Sequence, residues 1–184
     1  MADEIYLNVA HNNKNVCSIS DYLPKQTIIG SSISKDIGCG GYRLGWMIFP
    51  TELEYLYNKC SSLASSIYSC PNIIMQHATA EFLNHDNISV YKEYLHYENE
   101  IFKNNIRVIC DTIDKQQNNK KKKIRYSRPN AAWYIVLNFI EYKSKLSNIG
   151  IINSRDLSKR ILNNYGIVTV PGICFNSNEL ILRL

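Results

Sequence analysis

The sequence lacks the patterns by which several classes of functional site are recognised. It contains neither a GxxxxGK[ST] phosphate loop nor a GxGxxG dinucleotide fingerprint, because Arg43 stands where the third glycine of "GCGGYR" would fall. Its four histidines form no HExxH or other metal-ligand spacing, and its six cysteines include no CxxC pair. The sequence therefore gives no support to a nucleotide-binding loop, a zinc site or a disulfide scaffold.

Long apolar runs are also missing. No stretch approaches the roughly eighteen apolar residues that a membrane-spanning helix needs, and the first four residues already include two acids. The cysteines lie far apart, which is typical of reduced thiols that mostly serve packing. We therefore expect a soluble chain in a reducing compartment, the cytoplasm.

Charge of one sign is concentrated rather than spread. The formal net charge is +5, with 21 Lys and Arg against 16 Asp and Glu, and the run Lys120–Lys123 supplies four of the positive charges. A single run inside "DKQQNNKKKKIR" is typical of a solvated loop, whereas a contact with nucleic acid or another polyanion stays open as an alternative.

What is present begins with three predicted strands. "DEIYLNV", residues 3–9, is rich in β-branched and aromatic residues, and "QTIIGSSIS" and "RLGWMIF" flank the glycine-rich turn "KDIGCGGY". Lys35 then leaves the end of one strand and Arg43 enters the start of the next. We expect both side chains to converge at one end of a sheet.

Helices and a second group of strands follow. Apolar spacing predicts helices over residues 51–69 and 71–84, and a longer one from Ser89 to about Asp114. Beyond them, residues 131–139, 167–172 and 179–184 are predicted strands, and 154–166 a helix with Ser154 as its N-cap and Gly166 just past its end. This second part forms an α+β unit.

Lys35 is the candidate for covalent chemistry. A lysine amine can form a Schiff base with an aldehyde cofactor, for which the Ser32 hydroxyl and the Arg43 guanidinium would be phosphate donors. Such a site also needs a carboxylate beside the cofactor ring nitrogen, and Asp3 is the candidate. Ser32 to Lys35 also matches the SxxK of penicillin-recognising enzymes, but the SDN and KTG motifs of that class are absent.

Two further side chains complete this hypothesis. Tyr6 can donate a hydrogen bond to the ring oxygen of the cofactor, and Arg183 can bind a substrate carboxylate bidentately.

At these residues the sequence resembles a known family. "DEIY", "SISKDIGCGGYRLGWMIFP" and "YGIVTVPGICFNSNELILRL" are similar to consecutive signatures of the class I/II aminotransferases, fold type I enzymes that depend on pyridoxal 5'-phosphate. The resemblance implies that Lys35 holds the cofactor as a Schiff base. It also implies that Asp3 pairs with the pyridine nitrogen, Tyr6 contacts the ring oxygen, Ser32 and Arg43 hold the phosphate, and Arg183 binds the substrate α-carboxylate.

The same resemblance implies an α/β fold truncated at both ends. It assigns residues 1–88 to the C-terminal part of the cofactor-binding large domain, with a partial sheet of about three strands and helices. Residues 89–117 become a long linking helix, and 118–184 a small α+β C-terminal domain. Family active sites lie at a dimer interface, which implies a homodimer or a partner that supplies the missing N-terminal half.

Two functional hypotheses follow. In the first, the chain is an aminotransferase fragment that moves an amino group between an amino acid and a 2-oxo acid through a Lys35 Schiff base. In the second, it is a non-catalytic aminotransferase-like remnant or interaction module that binds the cofactor weakly or not at all.

Overall fold

The computed structural model describes residues 1–11 and 16–184, and it divides into two units, Met1–Ile101 and Phe102–Leu184. The long helix α4, Ile88–Gln117, contributes residues to both units. The boundaries predicted at residues 88 and 117 fall at the two ends of this helix, and that division stays a prediction. The predicted fold class is confirmed: the chain is a mixed α/β structure with a partial sheet of three strands.

The first unit is built on a sheet of three short strands in the order β1-β2-β3. Strand β1, Ala2–Asp3, pairs in parallel with β2, Ile29–Ser32, and β2 pairs in antiparallel fashion with β3, Gly45–Ile48. Predicted strands over 26–34 and 43–49 are therefore found, each shorter than its pattern indicated.

The predicted strand over residues 3–9 is wrong beyond its first residue. The chain leaves the sheet after Asp3 and turns, with the amide of Leu7 donating to the Glu4 carbonyl and the amide of Val9 to the Tyr6 carbonyl. Side-chain composition favoured a strand, but Val9 is fully buried at the end of this turn. Tertiary burial has overridden the local preference.

Among residues 1–11 and 16–101, four α-helices belong wholly or partly to the first unit. Helix α1, Ile33–Asp36, is a single turn that follows β2, and α2, Glu54–Tyr68, begins after a short 3-10 turn at Thr51–Leu53. Helix α3, Ile73–Phe82, is capped by the Asn72 side chain, and α4 follows it. Neither α2 nor α3 buries a side chain.

The second unit carries an antiparallel sheet in the order β4-β6-β5. Its strands are β4, Val136–Asn138, β5, Val170–Pro171, and β6, Ile181–Arg183. Helix α5, Lys143–Ser147, lies in a segment for which the sequence predicted no element. Helix α6, Ser154–Tyr165, ends at Gly166 as predicted, but its N-cap is Asn153 rather than Ser154.

Two apolar clusters form the core of the second unit. The first packs α4 against β4 and the second packs α6 against β6, and Phe139 touches both. The buried members are Ile106, Cys110, Ile135 and Leu137 in the first, and Ile151, Leu157 and Leu182 in the second.

The cysteines only partly match the expectation of packing residues. All six are free, but Cys110 alone is buried, while Cys17, Cys60, Cys70 and Cys174 are exposed. Within residues 1–11 and 16–184, no helix combines the length and the apolar character that crossing a membrane requires.

Candidate active site

The strand register of the first unit brings most of the predicted site residues to one edge of its sheet. Asp3 lies opposite Gly30 at the carboxyl end of β1, and the parallel strand β2 ends in the same direction at Ser32. Ser32 in turn lies opposite Gly45, the first residue of β3, so Arg43 enters the sheet at this edge. The predicted convergence is therefore seen in the backbone.

Lys35 sits in the single turn α1 directly beyond this edge, not at a strand end as predicted. Ser32 caps the turn: its backbone is extended and its hydroxyl oxygen accepts the amide of Ser34 at 3.0 Å. The Lys35 ammonium lies 5.7 Å from the centre of the Tyr6 ring, within the range of a cation–π contact. Lys35 and Tyr6 are thus brought together although the sequence places them 29 positions apart.

Arg43 reaches the edge in a conformation that is rare for residues other than glycine. Its backbone is left-handed, with φ 58° and ψ 43°, and its Nη1 donates to the Gly40 carbonyl at 2.7 Å. The remaining N–H groups of the guanidinium are available to an anion. Gly45 lets β3 lie close to β2 at this point. An added Cβ at Gly45 would lie 3.1 Å from the Ser31 carbonyl oxygen and 3.2 Å from the Ser32 Cβ.

Asp3 is exposed, and one of its carboxylate oxygens accepts the amide of Ile5 at 3.3 Å. It also lines an open groove of about 580 Å³, whose wall is mostly apolar and includes Trp46, Phe49 and Tyr57. The carboxylate is therefore placed at the sheet edge, next to an apolar surface formed by the sheet and α2.

A buried polar group behind Lys35 was missed by the sequence analysis. Asp36 is 4% exposed, and its Oδ2 accepts hydrogen bonds from the Tyr91 hydroxyl at 2.7 Å and the Asn8 amide at 3.2 Å. The Asn8 amide also donates to the Tyr91 oxygen at 3.0 Å. We call Asn8, Asp36 and Tyr91 the polar triad.

Burial is the main reason that the pKa of Tyr91 lies above its usual value, and the hydrogen bond to the Asp36 carboxylate adds to it. The phenol therefore stays protonated and keeps its role as donor. A signal for one member of the triad only was present in the sequence: Tyr91, Glu98 and Asn99 recur at helical spacing and place polar atoms on one face of α4.

Arg183, the predicted carboxylate ligand, lies in β6 of the second unit. Its guanidinium carbon is 4.3 Å from the centre of the Tyr134 ring and 4.8 Å from that of Phe175. Contact with two aromatic faces limits the freedom of the guanidinium while leaving its N–H groups in the plane open to a carboxylate.

The residues at the sheet edge fit a phosphorylated aldehyde. Lys35 supplies a primary amine, the Ser32 hydroxyl keeps its own proton to donate, and Arg43 supplies a fixed positive charge.

Comparison with known proteins agrees with this donor set. The sequence model of a family described as "Aminotransferase class I and II" matches residues 1–184. The chain is 22% identical over 182 residues to an aspartate aminotransferase of Sulfolobus acidocaldarius, covering 95% of this chain and 40% of that protein. It is 25% identical to an aspartate aminotransferase of Bacillus subtilis, covering 97% of this chain and 42% of that protein.

Solved structures show the same fold. A double mutant of Thermus thermophilus aspartate aminotransferase superposes with a TM-score of 0.81 at 20% identity, over 99% of this chain and 42% of that one. An aromatic aminotransferase from Pyrococcus horikoshii OT3 gives a TM-score of 0.73 at 21% identity, over 99% and 44%. The chain thus spans about two fifths of the length of the proteins that it matches.

Proposed function

The chain belongs to the class I and II aminotransferases, a pyridoxal-phosphate-dependent family, and from this premise we propose that it carries the lysine-bearing part of such an enzyme. The proposed reaction moves an amino group between an amino acid and a 2-oxo acid. The observation that carries the proposal is the single sheet edge at which the register collects Asp3, Ser32, Lys35 and Arg43.

Lys35 is the proposed covalent anchor and proton carrier. Its amine would hold the aldehyde of pyridoxal phosphate as a Schiff base, and the bound cofactor supplies an electron sink for the bond that breaks at the substrate Cα. Once displaced by the substrate amine, the Lys35 Nζ would take the proton from that Cα. Tyr6, whose ring lies beside the Lys35 ammonium, would donate a hydrogen bond from its hydroxyl group to the ring oxygen of the cofactor.

The charged residues of the edge would orient the cofactor. Arg43 and the Ser32 hydroxyl would hold the phosphate, and the Asp3 carboxylate would accept a hydrogen bond from the protonated pyridine nitrogen and so keep it protonated. Support comes from the shared sheet edge and from the exposure of both Asp3 and Arg43. In the second unit, Arg183 would bind the α-carboxylate of the amino acid bidentately.

The proposal is tested by trapping the Lys35 linkage. The whole chain is incubated with pyridoxal phosphate, reduced with borohydride and digested, and the modified lysines are identified by mass spectrometry. We expect the label at Lys35 in the unaltered chain and in Lys25→Ala, which removes a lysine whose side chain is 77% exposed. We expect none on that peptide in Lys35→Ala. Equal labelling of Lys35 and the surface lysines at every cofactor concentration would contradict the proposal.

A non-catalytic remnant is the second candidate. It is favoured by one observation: α2 and α3 bury no side chain and expose large apolar residues such as Ile67 and Ile74. Such a surface suits association with another chain. If Lys35 is not selectively labelled while the purified chain forms a stable complex with itself, the remnant or interaction module becomes the better description.

The remaining expectations are also proposals. Active sites of this family lie at subunit interfaces. We therefore expect a homodimer, or a partner that supplies further site residues. A cytoplasmic location stays a prediction.

A further inference from the structure

We propose that Asp36, through its hydrogen bonds to Tyr91 and Asn8, is a positioning residue that holds Lys35 beside Tyr6. This role rests on the proposed function, in which Lys35 is the reactive amine. It concerns side chains for which neither the motifs of the sequence nor the family match assigns a role.

The first step concerns which face of α1 is buried. The helix has only four residues, too few to be stable by its own hydrogen bonds. Its two buried side chains are Ile33, 2% exposed, and Asp36, 4% exposed, and residues three apart lie on the same face of a helix. These two anchors fix the inward face of α1, and Lys35, two positions after Ile33, is directed to another face.

The second step is the joining of three chain segments at one atom. Oδ2 of Asp36 binds the Tyr91 hydroxyl of α4 and the Asn8 amide of the turn that follows β1. The Asn8–Tyr91 bond closes the triangle. The turn that carries Asn8 also carries Tyr6, so the same carboxylate oxygen ties the lysine-bearing helix to the tyrosine-bearing turn.

The third step is the rigidity of the partners. The Tyr91 ring packs edge-on against Phe82 with ring centres 5.8 Å apart, which fixes its hydroxyl. Asn99 lies about two turns after Tyr91 on the same face of α4. Its side-chain amide donates to the Asn8 carbonyl at 2.9 Å. The turn is thus held to α4 at two points, and the distance between Lys35 and Tyr6 depends on both.

The buried carboxylate makes the position of α1 depend on its hydrogen-bond donors. A buried carboxylate is costly to leave without donors, and two donors here converge on one oxygen. Among the described residues, Oδ1 of Asp36 is buried with no hydrogen-bond partner, so the carboxylate depends on the two donors at Oδ2. Removing either donor leaves it with one, so α1 is expected to shift toward solvent and carry Lys35 away from the Tyr6 ring.

The test measures the position of Lys35 without any cofactor. In the whole chain labelled with ¹³C at lysine Cε, the Lys35 signal is assigned by its loss in Lys35→Arg. The ring current of Tyr6 should displace this signal from those of the exposed lysines, and Tyr6→Leu should cancel the displacement. Tyr91→Phe removes one oxygen and keeps the packing against Phe82, and we expect it to cancel at least half of the displacement.

Two further variants complete the design. Tyr97→Phe, on the same helix at a residue that is 67% exposed, is the matched control and should leave the Lys35 signal in place. Asp36→Asn keeps one oxygen acceptor for Tyr91 and should retain more of the displacement than Asp36→Ala. A Tyr91→Phe chain that is thermally less stable but shows an unmoved Lys35 signal would overturn the proposal, as would an undisplaced signal in the unaltered chain.

A second measurement separates this inference from the proposed function. If the unaltered chain binds pyridoxal phosphate, Tyr91→Phe should slow labelling of Lys35 by on the order of tenfold or more, as expected for a misplaced reactive group. If the unaltered chain does not bind it, the proposed function fails, while the Lys35 signal still decides whether the triad positions the side chain.

Discussion

The two units of the chain are stabilised in different ways. Residues 102–184 enclose two apolar clusters around Cys110, Ile135 and Leu182, each of them almost fully buried. Among the described residues of the first unit, the buried apolar side chains are the four Val9, Ala10, Ile33 and Leu44. Asp3, Ser32, Lys35 and Arg43 therefore lie in the unit with fewer buried apolar side chains.

Charge follows the same division. Residues 1–101 hold 6 Lys and Arg against 11 Asp and Glu, a formal charge of −5, whereas residues 102–184 hold 15 against 5, a charge of +10. The overall value of +5 conceals two regions of opposite sign. The basic excess is thus a property of the whole second unit and not of the run Lys120–Lys123 alone.

The largest expected difference between the units comes from a substitution that opens a cavity in the core of the second unit. Leu182→Ala should lower the free energy of unfolding of that unit by about 2–5 kcal/mol, because Leu182 is 1% exposed and packs on Ile151 and Leu157. In a Trp46→Phe background, the fluorescence of Trp133 reports the urea unfolding of the second unit.

The contrasting substitution in the first unit is Leu63→Ala, at an exposed leucine. Leu63 lies in α2 and is 61% exposed, so we expect a change within about 0.5 kcal/mol, followed through Trp46 in a Trp133→Phe background. If Leu63→Ala proves as damaging as Leu182→Ala, the exposed face of α2 is covered in solution and the contrast between the units fails.

Glycines give a second and smaller contrast. An added Cβ at Gly172 would collide with the Ile181 side chain, so Gly172→Ala should cost the second unit about 1–3 kcal/mol. At Gly41 an added Cβ meets no described atom within 4 Å, and Gly41→Ala should be neutral or stabilise the first unit by about 0.4–1 kcal/mol.

The same two tryptophan backgrounds measure both glycine variants. Equal costs at Gly172 and Gly41 would show that the space around these two glycines differs less than the structure indicates.

Local patterns predicted the long elements well and the short ones poorly. The apolar spacing of α4 placed a helix from Ser89 to about Asp114, and the structure has Ile88–Gln117, since thirty residues average out local exceptions. The strand predicted over 3–9 shrank to Ala2–Asp3, and the five-residue helix α5 was missed, because elements this short depend on what they pack against.

The candidate site divides in the same manner. Side-chain chemistry and the predicted strands around the glycine-rich turn were enough to propose Asp3, Ser32, Lys35 and Arg43, and their roles stay predictions. The hydrogen bond between Asp36 and Tyr91 spans 55 positions, and nothing in the sequence pairs them. Such contacts follow from the tertiary fold alone.

The smallest expected effect is a difference in pH dependence between the units. Burial raises the pKa of Glu98 in the first unit above 4.5, with a further contribution from the nearby Asp36 charge and an opposing hydrogen bond from Tyr94. A raised pKa means that the folded state binds the proton more readily. The stability that Glu98 contributes is therefore fully present below pH 4.5 and is lost as pH rises through the folded value.

In the second unit the sign is reversed. Hydrogen bonds from Tyr126 and Arg128 lower the pKa of Asp114 below 3.8, and the Lys123 amide and Arg125 lower that of Glu141. These groups contribute stability that is present above their unfolded pKa values and is lost as pH falls through their folded pKa values.

Hydrogen exchange, corrected for intrinsic rates, should show the amides near Glu98 gaining protection as pH falls from 7 to 4.5. The amides of residues 110–128 should lose protection as pH falls from 4.5 to 3. Glu98→Gln should flatten the change near Glu98 and leave the change in residues 110–128, because the two pH ranges do not overlap. A loss of protection near Glu98 as pH falls from 7 to 4.5 would contradict the sign assigned to its burial.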